Sequence, residues 1–260
     1  GSLVRINGNR AYGHILMTEV TDLLIERSRQ HGIAAIAVHN VDPAGRFADF
    51  CDRAADNGIA TLMYMNVSGE AKTVAPPGGL EARISTNPIA AGVPRAGGPN
   101  IVYDMATSSV AKGRLSDANE RNTEISSEWV TREGHLTPFG GAKGFAIAII
   151  TEALAGSLTG AGTVGHDEVE YRQGVLAIGI DIEKLRSLAD FEADVAKFAQ
   201  YLAQTPLEDG ASPIYMPGER TALNTQKRAA SGIPIHSVIW EQLEGLATEF
   251  NLDLPKEMAK

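Results

Sequence analysis

Apolar residues recur along this chain with two periods, and the periods alternate. Between residues 14 and 31, Leu16, Val20, Leu23 and Leu24 fall at i, i+4, i+7 and i+8. That spacing puts them on one helical face and predicts an amphipathic helix, stopped by Gly32. Residues 33 to 38 follow as a short apolar run of β type, 44 to 57 as a second helix closed by Gly58, and 59 to 65 as the next strand. A β–α–β rhythm of this kind predicts an α/β fold.

The centre breaks the rhythm. Residues 66 to 100 are dense in turn formers (Pro76, Pro77, Gly78, Gly79, Pro88, Pro94, Gly97, Gly98, Pro99) and are expected to run as turns with exposed backbone N–H groups. Residues 101 to 105 read as a strand, 142 to 157 as an apolar helix that starts inside a glycine loop, and 175 to 180 as a buried strand. Leu188, Phe191, Val195, Phe198 and Leu202 mark a further amphipathic helix with Asp190 as its candidate cap. Residues 219 to 230 and 236 to 250 read as two last helices, separated by Gly232 and Pro234. Helices crowd both ends. The expected organisation is therefore a helix-rich α/β layer from residues 1–60 and 195–260, with a central domain over 61–194.

Composition removes several function classes. Lys+Arg number 23 against 32 Asp+Glu, a net charge of −9, whereas a nucleic-acid face needs clustered positive charge. The one cysteine, Cys51, cannot form an internal disulfide and fits a reducing compartment. It lies among Phe47, Phe50 and Ala54 at helical spacing, as a buried small hydrophobe would. No run approaches the ~18 apolar residues of a membrane span, so no membrane partner is expected and the cytoplasm is the expected location.

Two segments carry candidate chemistry. Gly140-Gly141-Ala142-Lys143-Gly144 precedes the apolar helix. Glycines admit a close-lying anion, a helix start offers unpaired N–H groups, and Lys143 adds a mobile charge. The P-loop spacing fails, because Phe145 follows the Lys-Gly pair. A tight turn with a surface lysine explains the same residues. Asp104, Thr107, Ser108 and Ser109 end a strand, where hydroxyls can bind phosphate or ribose or satisfy their own turn. Asp104 can accept from a ribose hydroxyl or cap the turn that follows. Ser85-Thr86-Asn87-Pro88 and Pro217-Gly218-Glu219-Arg220 are polar loops of the same ambiguous kind. His39, at a strand end, and His135, just before the glycine loop, can each serve as a general acid or fill a structural position. No His/Cys/Asp/Glu spacing fits a metal site, no Gly-x-Ser-x-Gly elbow is present, and no Gly-x-Gly-x-x-Gly follows a strand, which disfavours a Rossmann domain.

Taken in order, these blocks resemble one family, the malate/L-lactate dehydrogenases whose NAD(P) fold is unrelated to the Rossmann fold. The blocks are His31-Gly32-Ile33-Ala34, Ala75-Pro76-Pro77-Gly78-Gly79, Ser85-Thr86-Asn87-Pro88, Asp104-Met105-Ala106-Thr107-Ser108, Gly140–Gly144, Pro217–Arg220 and Ser231-Gly232-Ile233-Pro234. The resemblance covers essentially the whole chain. It implies that Val102, Tyr103, Asp104, Met105, Ala106, Thr107 and Ser108 line a nicotinamide-cofactor pocket in the central domain. It implies further cofactor contacts from Ala142 and Lys143, and from Gly218, Glu219 and Arg220. It also implies NAD or NADP as cofactor, a small-molecule acid substrate (a 2-oxo acid or cyclic 2-imino acid), hydride transfer, and a homodimer with the cofactor near the subunit interface.

Two departures from the family pattern shape the catalytic expectations. The family's Ser-His-Gly-x-x-Arg segment, with its proton donor and carboxylate anchor, would precede the first residue of this chain. The family's second active-site histidine aligns with Pro43, within Asn40-Val41-Asp42-Pro43-Ala44-Gly45. Ser85 also stands for a usual glycine. Proton traffic then falls to His39, Asp42 or His135, and Arg46 becomes the candidate substrate anchor. Two other readings stay open: a diverged member that binds the nucleotide for other chemistry, its use as a substrate included, and a catalytically incomplete subunit.

Overall fold

A computed structural model describes residues 1–69, 71–120, 125–165 and 172–254. Six strands, β1 (Leu3–Asn7), β2 (Ile33–Val41), β3 (Ile59–Val67), β4 (Ile89–Val93), β5 (Ile101–Met105) and β6 (Gln173–Asp181), form one sheet in the order β1-β2-β6-β3-β4-β5. The β1–β2 pair is parallel and the other four pairs are antiparallel. This is the expected α/β class. Its antiparallel pairing differs from the parallel, doubly wound sheet of a Rossmann domain.

The helices are α1 (Gly13–His31), α2 (Ala48–Ala55), α3 (Lys112–Glu120), α4 (Ala142–Thr151), α5 (Leu188–Ala203), α6 (Glu219–Ser231) and α7 (Ser237–Phe250). Three elements escaped the sequence reading. β1 is an edge strand with no buried residue, so it carries little apolar signal. β4 is short, small-residued and bounded by Pro88 and Pro94, so it reads as turn. α3 is polar almost throughout. The expected helix over 44–57 is α-helical only from Ala48 to Ala55, since Pro43 and Gly45 (φ 69°) shape the lead-in. The expected helix over 142–157 changes register at Glu152 and finishes as a π-helical segment, Glu152–Leu158. Asp190 is not the cap of α5: the Ser187 hydroxyl accepts from the Asp190 N–H (3.4 Å).

β6 sits between β2 and β3, and its side chains alternate between two covered faces. Gly179 lies against Leu24 and Ser28 of α1, while Gly174 lies against Ala155 of the π segment. On the α1 and α2 face, Met17, Leu24, Ile36, Val38, Phe47, Met63 and Val175 form the largest core cluster. On the other face, α4 and the π segment cover β3, β6 and β2. The strands of the expected terminal layer and of the expected central domain thus share one sheet. By contacts the chain divides once, into Gly1–Pro217 and Gly218–Lys260. The second unit holds α6 and α7, with Gly218 (φ 97°) before α6 and Gly232 (φ 85°) after it. Among the described residues no helix is long and apolar enough to cross a membrane.

Cys51 is fully buried on α2, as its spacing predicted. Burial, above all, pushes its thiol up to about 12. A thiol reagent at pH 8 is therefore expected to leave the folded protein unlabelled and to modify one cysteine per chain once denaturant is added. Rapid native labelling would contradict this packing.

Candidate functional site

The two segments singled out by sequence meet. The Phe139 N–H donates to the Thr107 carbonyl (3.0 Å), the Ser109 N–H donates to the Thr137 carbonyl (2.7 Å), and the Ser109 and Thr137 hydroxyls share a hydrogen bond (2.7 Å). Gly140 and Gly141 take left-handed φ values of 54° and 61°, which glycine adopts without penalty, and turn the chain into α4. Gly144 must be glycine for another reason. A Cβ there would lie 2.5 Å from the Phe139 carbonyl and 2.7 Å from the Thr107 carbonyl. The glycine loop is in effect fused to the end of β5.

This fusion leaves the start of α4 open. No side chain caps its first turn, but backbone carbonyls take most of its donors: the Lys143 and Gly144 N–H groups donate to the Gly140 (3.4 Å) and Phe139 (2.9 Å) carbonyls. What faces an anion there is the Ala142 N–H and the positive end of the helix dipole. A polar cleft of about 430 Å³ lies there, lined by Ser109, Glu128, Trp129, Thr137, Gly140 and Gly141. The Arg114 guanidinium stacks 4.8 Å from the Trp129 ring centroid. Lys143 is exposed, with its stem near Gly140. The proposed hydroxyl ligands are already engaged as donors: Thr107 Oγ1 donates to the Thr86 carbonyl (2.9 Å), and Ser108 Oγ to the Val110 carbonyl (2.6 Å). What they retain for a ligand is lone pairs. Along the flank of α4 a second, apolar slot of about 370 Å³ is lined by Leu62, Tyr64, Ile89, Tyr103, Ile147 and Ile150. Burial, then the neighbouring Tyr64, raises the Tyr103 phenol above its ordinary value, so it stays a neutral donor.

Asp104 turns its carboxylate to α2. Its Oδ2 accepts from the N–H groups of Phe47 (2.6 Å) and Ala48 (3.2 Å) and so tethers β5 to the start of α2. Burial raises its pKa, and these two N–H donors oppose the rise. Arg46, one residue before Phe47, is exposed and ion-paired to Asp49, and its charge also acts on Asp104. The candidate anchor and the candidate cofactor strand are therefore neighbours.

The candidate acids are scattered. Asp42 is half-buried, its N–H bonded to the Ala11 carbonyl. His135 is half-buried in the turn before the glycine loop, where its backbone exchanges hydrogen bonds with Thr131. His39 lies opposite Asn7 of β1. Burial, then the charge of Arg5, lowers its pKa, and its Nδ1 is buried without a partner. Arg5 itself bonds the Thr159 carbonyl just past the π segment (2.9 Å), which puts His39 on the sheet face opposite α2 and Arg46. The unfolded chain takes up the His39 proton at a higher pH than the folded one. The stability His39 contributes is thus complete above the ordinary histidine value of ~6.5 and is lost as pH falls through the lowered one. His39→Gln is expected to flatten the acid-side fall of the urea midpoint below that value; an unchanged slope would contradict it.

Sequence reasoning passed over two features. His14 packs so closely on Gly45 that a Cβ there would collide with its ring. Glu152, Asn87 and Asn66 form a buried polar cluster beneath α4. Nothing short of the three-dimensional pairing marks either; the only local hint is a glycine in a polar loop and a lone carboxylate in an alanine-rich helix.

The sequence model of malate/L-lactate dehydrogenases matches residues 1–244. The chain belongs to the malate/L-lactate dehydrogenase family. Among its relatives, the L-lactate dehydrogenase of Cupriavidus necator is 33% identical, covering 98% of this chain and 78% of that protein. The L-sulfolactate dehydrogenase of Methanothermobacter thermautotrophicus is 30% identical, covering 97% and 77%. The fold matches the structure of malate dehydrogenase from Pyrococcus horikoshii with a TM-score of 0.85, at 25% identity over 97% of this chain and 76% of that one. It matches the Δ1-piperideine-2-carboxylate reductase of Pseudomonas syringae with a TM-score of 0.80, at 28% identity over 95% and 78%. As a malate/L-lactate dehydrogenase family member the chain is a dehydrogenase or reductase that uses a nicotinamide cofactor.

Proposed function

We propose that this dehydrogenase moves a hydride between NAD(P)H and C2 of a small 2-oxo acid or cyclic 2-imino acid. The fused glycine loop carries the reading: it presents an uncapped helix start at a polar cleft, with an apolar slot ~9 Å further along the same helix. That arrangement fits a nucleotide, whose diphosphate suits the positive helix end, the Ala142 N–H and Lys143, and whose flat ring suits the slot. When bound, the nicotinamide supplies or accepts the hydride. The chain's own residues do the rest. Ala142 and Lys143 hold the diphosphate. Of the run Val102 to Ser108, within the proposed 61–194 cofactor domain, Tyr103 lines the slot and offers a neutral hydroxyl, while Val102 packs in the core on the α2 face and Asp104 ties β5 to α2. Gly218, Glu219 and Arg220 keep their cofactor role on the family resemblance alone. Arg46, on the α2 face of the sheet and not beside the α4 slot, is kept as substrate anchor on sequence proximity alone, exchanging its Asp49 partner for the substrate carboxylate, and His39, Asp42 or His135 moves the proton.

Relatives named for L-lactate, L-sulfolactate and Δ1-pyrroline-2-carboxylate support the acid and imine classes alike. Pro43 favours the imine, because an iminium arrives already protonated. The proposed setting is a cytoplasmic homodimer; exposed Phe198 and Tyr201 on α5 support a partner-covered face.

The test titrates NADH and NADPH against tryptophan fluorescence and then follows cofactor oxidation over a panel of 2-oxo and 2-imino acids. One cofactor is expected to quench the signal and to be oxidised with at least one acid. Binding of neither would overturn the reading. Arg46→Ala is expected to raise KM for the acid by about 10–100-fold, the worth of one charged hydrogen bond, with cofactor affinity unchanged. An unaltered KM would remove Arg46 from the site.

A further inference from the structure

The buried carboxylate of Glu152 has no part in the chemistry above, yet the fold is arranged around it. Its Oε1 accepts from Asn66 Nδ2 (3.1 Å) and the Val164 N–H (2.8 Å), and its Oε2 from Asn87 Nδ2 (2.6 Å). These three donors are all neutral. Glu152 opens the π-helical segment, a rare form that is frequent at functional sites. Asn66 and Asn87 are fully buried. Each gives its amide nitrogen both to the carboxylate and to a backbone carbonyl, Gly162 for Asn66 (2.9 Å) and Ala148 for Asn87 (3.2 Å), and leaves its own Oδ1 buried without a partner, so the carboxylate and the backbone together fix both amides. Asn66 fits solely because Gly156 and Gly174 flank it; a Cβ on either would lie 2.6 Å and 2.8 Å from its amide atoms.

Asn87 carries the effect outward. It holds a left-handed φ of 31°, and its Nδ2 also donates to the Ala148 carbonyl of α4 (3.2 Å). The carbonyl of its neighbour Thr86 accepts from both the N–H (2.8 Å) and Oγ1 (2.9 Å) of Thr107. Thr107 in turn holds Phe139 at the glycine loop, and α4 leads from that loop back to Glu152. The hydrogen bonds thus close a ring through Glu152, Asn87, Thr86, Thr107, Phe139 and α4.

We propose that Glu152 is a positioning residue for the nicotinamide-nucleotide site: by holding Asn87 in its strained turn, it sets the distance between the end of β5 and the glycine loop. The inference rests on the cofactor site proposed above.

The test measures NADH and NADPH affinity by tryptophan fluorescence, with a thermal melt of each variant. Glu152→Gln removes the charge at constant volume. Asn87→Gly removes the tether while permitting the left-handed backbone, so it remains informative if Glu152→Gln does not fold. Each is expected to weaken cofactor binding by about tenfold or more, a misplaced contact being costly even at a distance. Thr107→Val removes the Oγ1 bond to the Thr86 carbonyl while the N–H bond stays, loosening the ring at another point, and its loss in affinity should add to that of Asn87→Gly by clearly less than the sum, as coupled sites do. A lower melting temperature with wild-type affinity in the folded variants, or fully additive losses, would make Glu152 merely structural and overturn the inference. If the wild-type protein binds neither nucleotide, the cofactor site itself fails and this inference with it.

Discussion

Gly144→Ala is expected to abolish nicotinamide-nucleotide binding. In an exposed helix this substitution would stabilise by about 0.5–1 kcal/mol, since glycine loses more backbone entropy than alanine on folding. Here that gain is outweighed. The new methyl would stand 2.5 Å from the Phe139 carbonyl, 2.7 Å from the Phe139 nitrogen and 2.7 Å from the Thr107 carbonyl. All three neighbours are backbone, so no side-chain rotation relieves the contact. The loop must move off β5, taking with it the helix start that faces the polar cleft. Overpacking of this kind costs typically 1–3 kcal/mol, and the binding loss comes on top because the displaced groups are the proposed ligands. Gly141→Ala makes the comparison clean. Nothing lies within 4 Å of its Cβ, so its glycine-favouring backbone (φ 61°, ψ −112°) is the whole cost, about 1–3 kcal/mol. Fluorescence titration should rank the two, with Gly144→Ala far worse. Equal affinities would mean that the glycine loop is not where the cofactor sits.

The parts of this site that were legible in sequence are those written in consecutive residues. Gly140 to Gly144 and Asp104 to Ser109 announce themselves by glycine density and short hydroxyls, and the helix they precede has the right period. The family resemblance, carried by seven short blocks in order, then fixed the fold class and the kind of enzyme, as the family match shows. What escaped is whatever depends on pairing across long sequence separation. Asp104 finds its donors at Phe47 and Ala48, 57 and 56 residues away. Glu152 finds Asn66 and Asn87 at separations of 86 and 65, and in the stretch Glu-Ala-Leu-Ala-Gly a lone carboxylate reads as solvent-facing. Likewise β1 and β4 are strands because β2 and β3 offer them a ladder, not because their own residues insist on it. Strand alternation in β2 turns His39 away from the α2 face, whereas Arg46 lies beyond the strand, in the lead-in that carries the chain to α2.

Gly174→Ala is expected to be the most damaging single methyl in the chain. β6 is the strand between β2 and β3, and Gly174 is where the π segment closes onto it. The added carbon would collide with the Ala155 carbonyl and lie 2.6 Å from the Ala161 Cβ and 2.8 Å from Asn66 Oδ1. The first is backbone, the second a buried methyl, and the third belongs to the side chain that donates to Glu152. Relief therefore requires lifting the π segment, which breaks the Glu152 cluster and leaves its carboxylate buried with fewer donors. That adds the cost of an unsatisfied buried charge to the overpacking cost, so the total should exceed about 3 kcal/mol. At roughly 2–4 °C per kcal/mol for a chain of this size, the melting temperature should fall by at least ~6–12 °C, or the protein should fail to accumulate in soluble form. Gly245→Ala is the counterpart: it lies within α7, meets nothing within 4 Å, and should raise stability by about 0.5–1 kcal/mol. A thermal melt of the two variants beside the wild type decides the matter. Were Gly174→Ala to melt near the wild type, the packing of the π segment on β6, and with it the setting of Glu152, would be wrong.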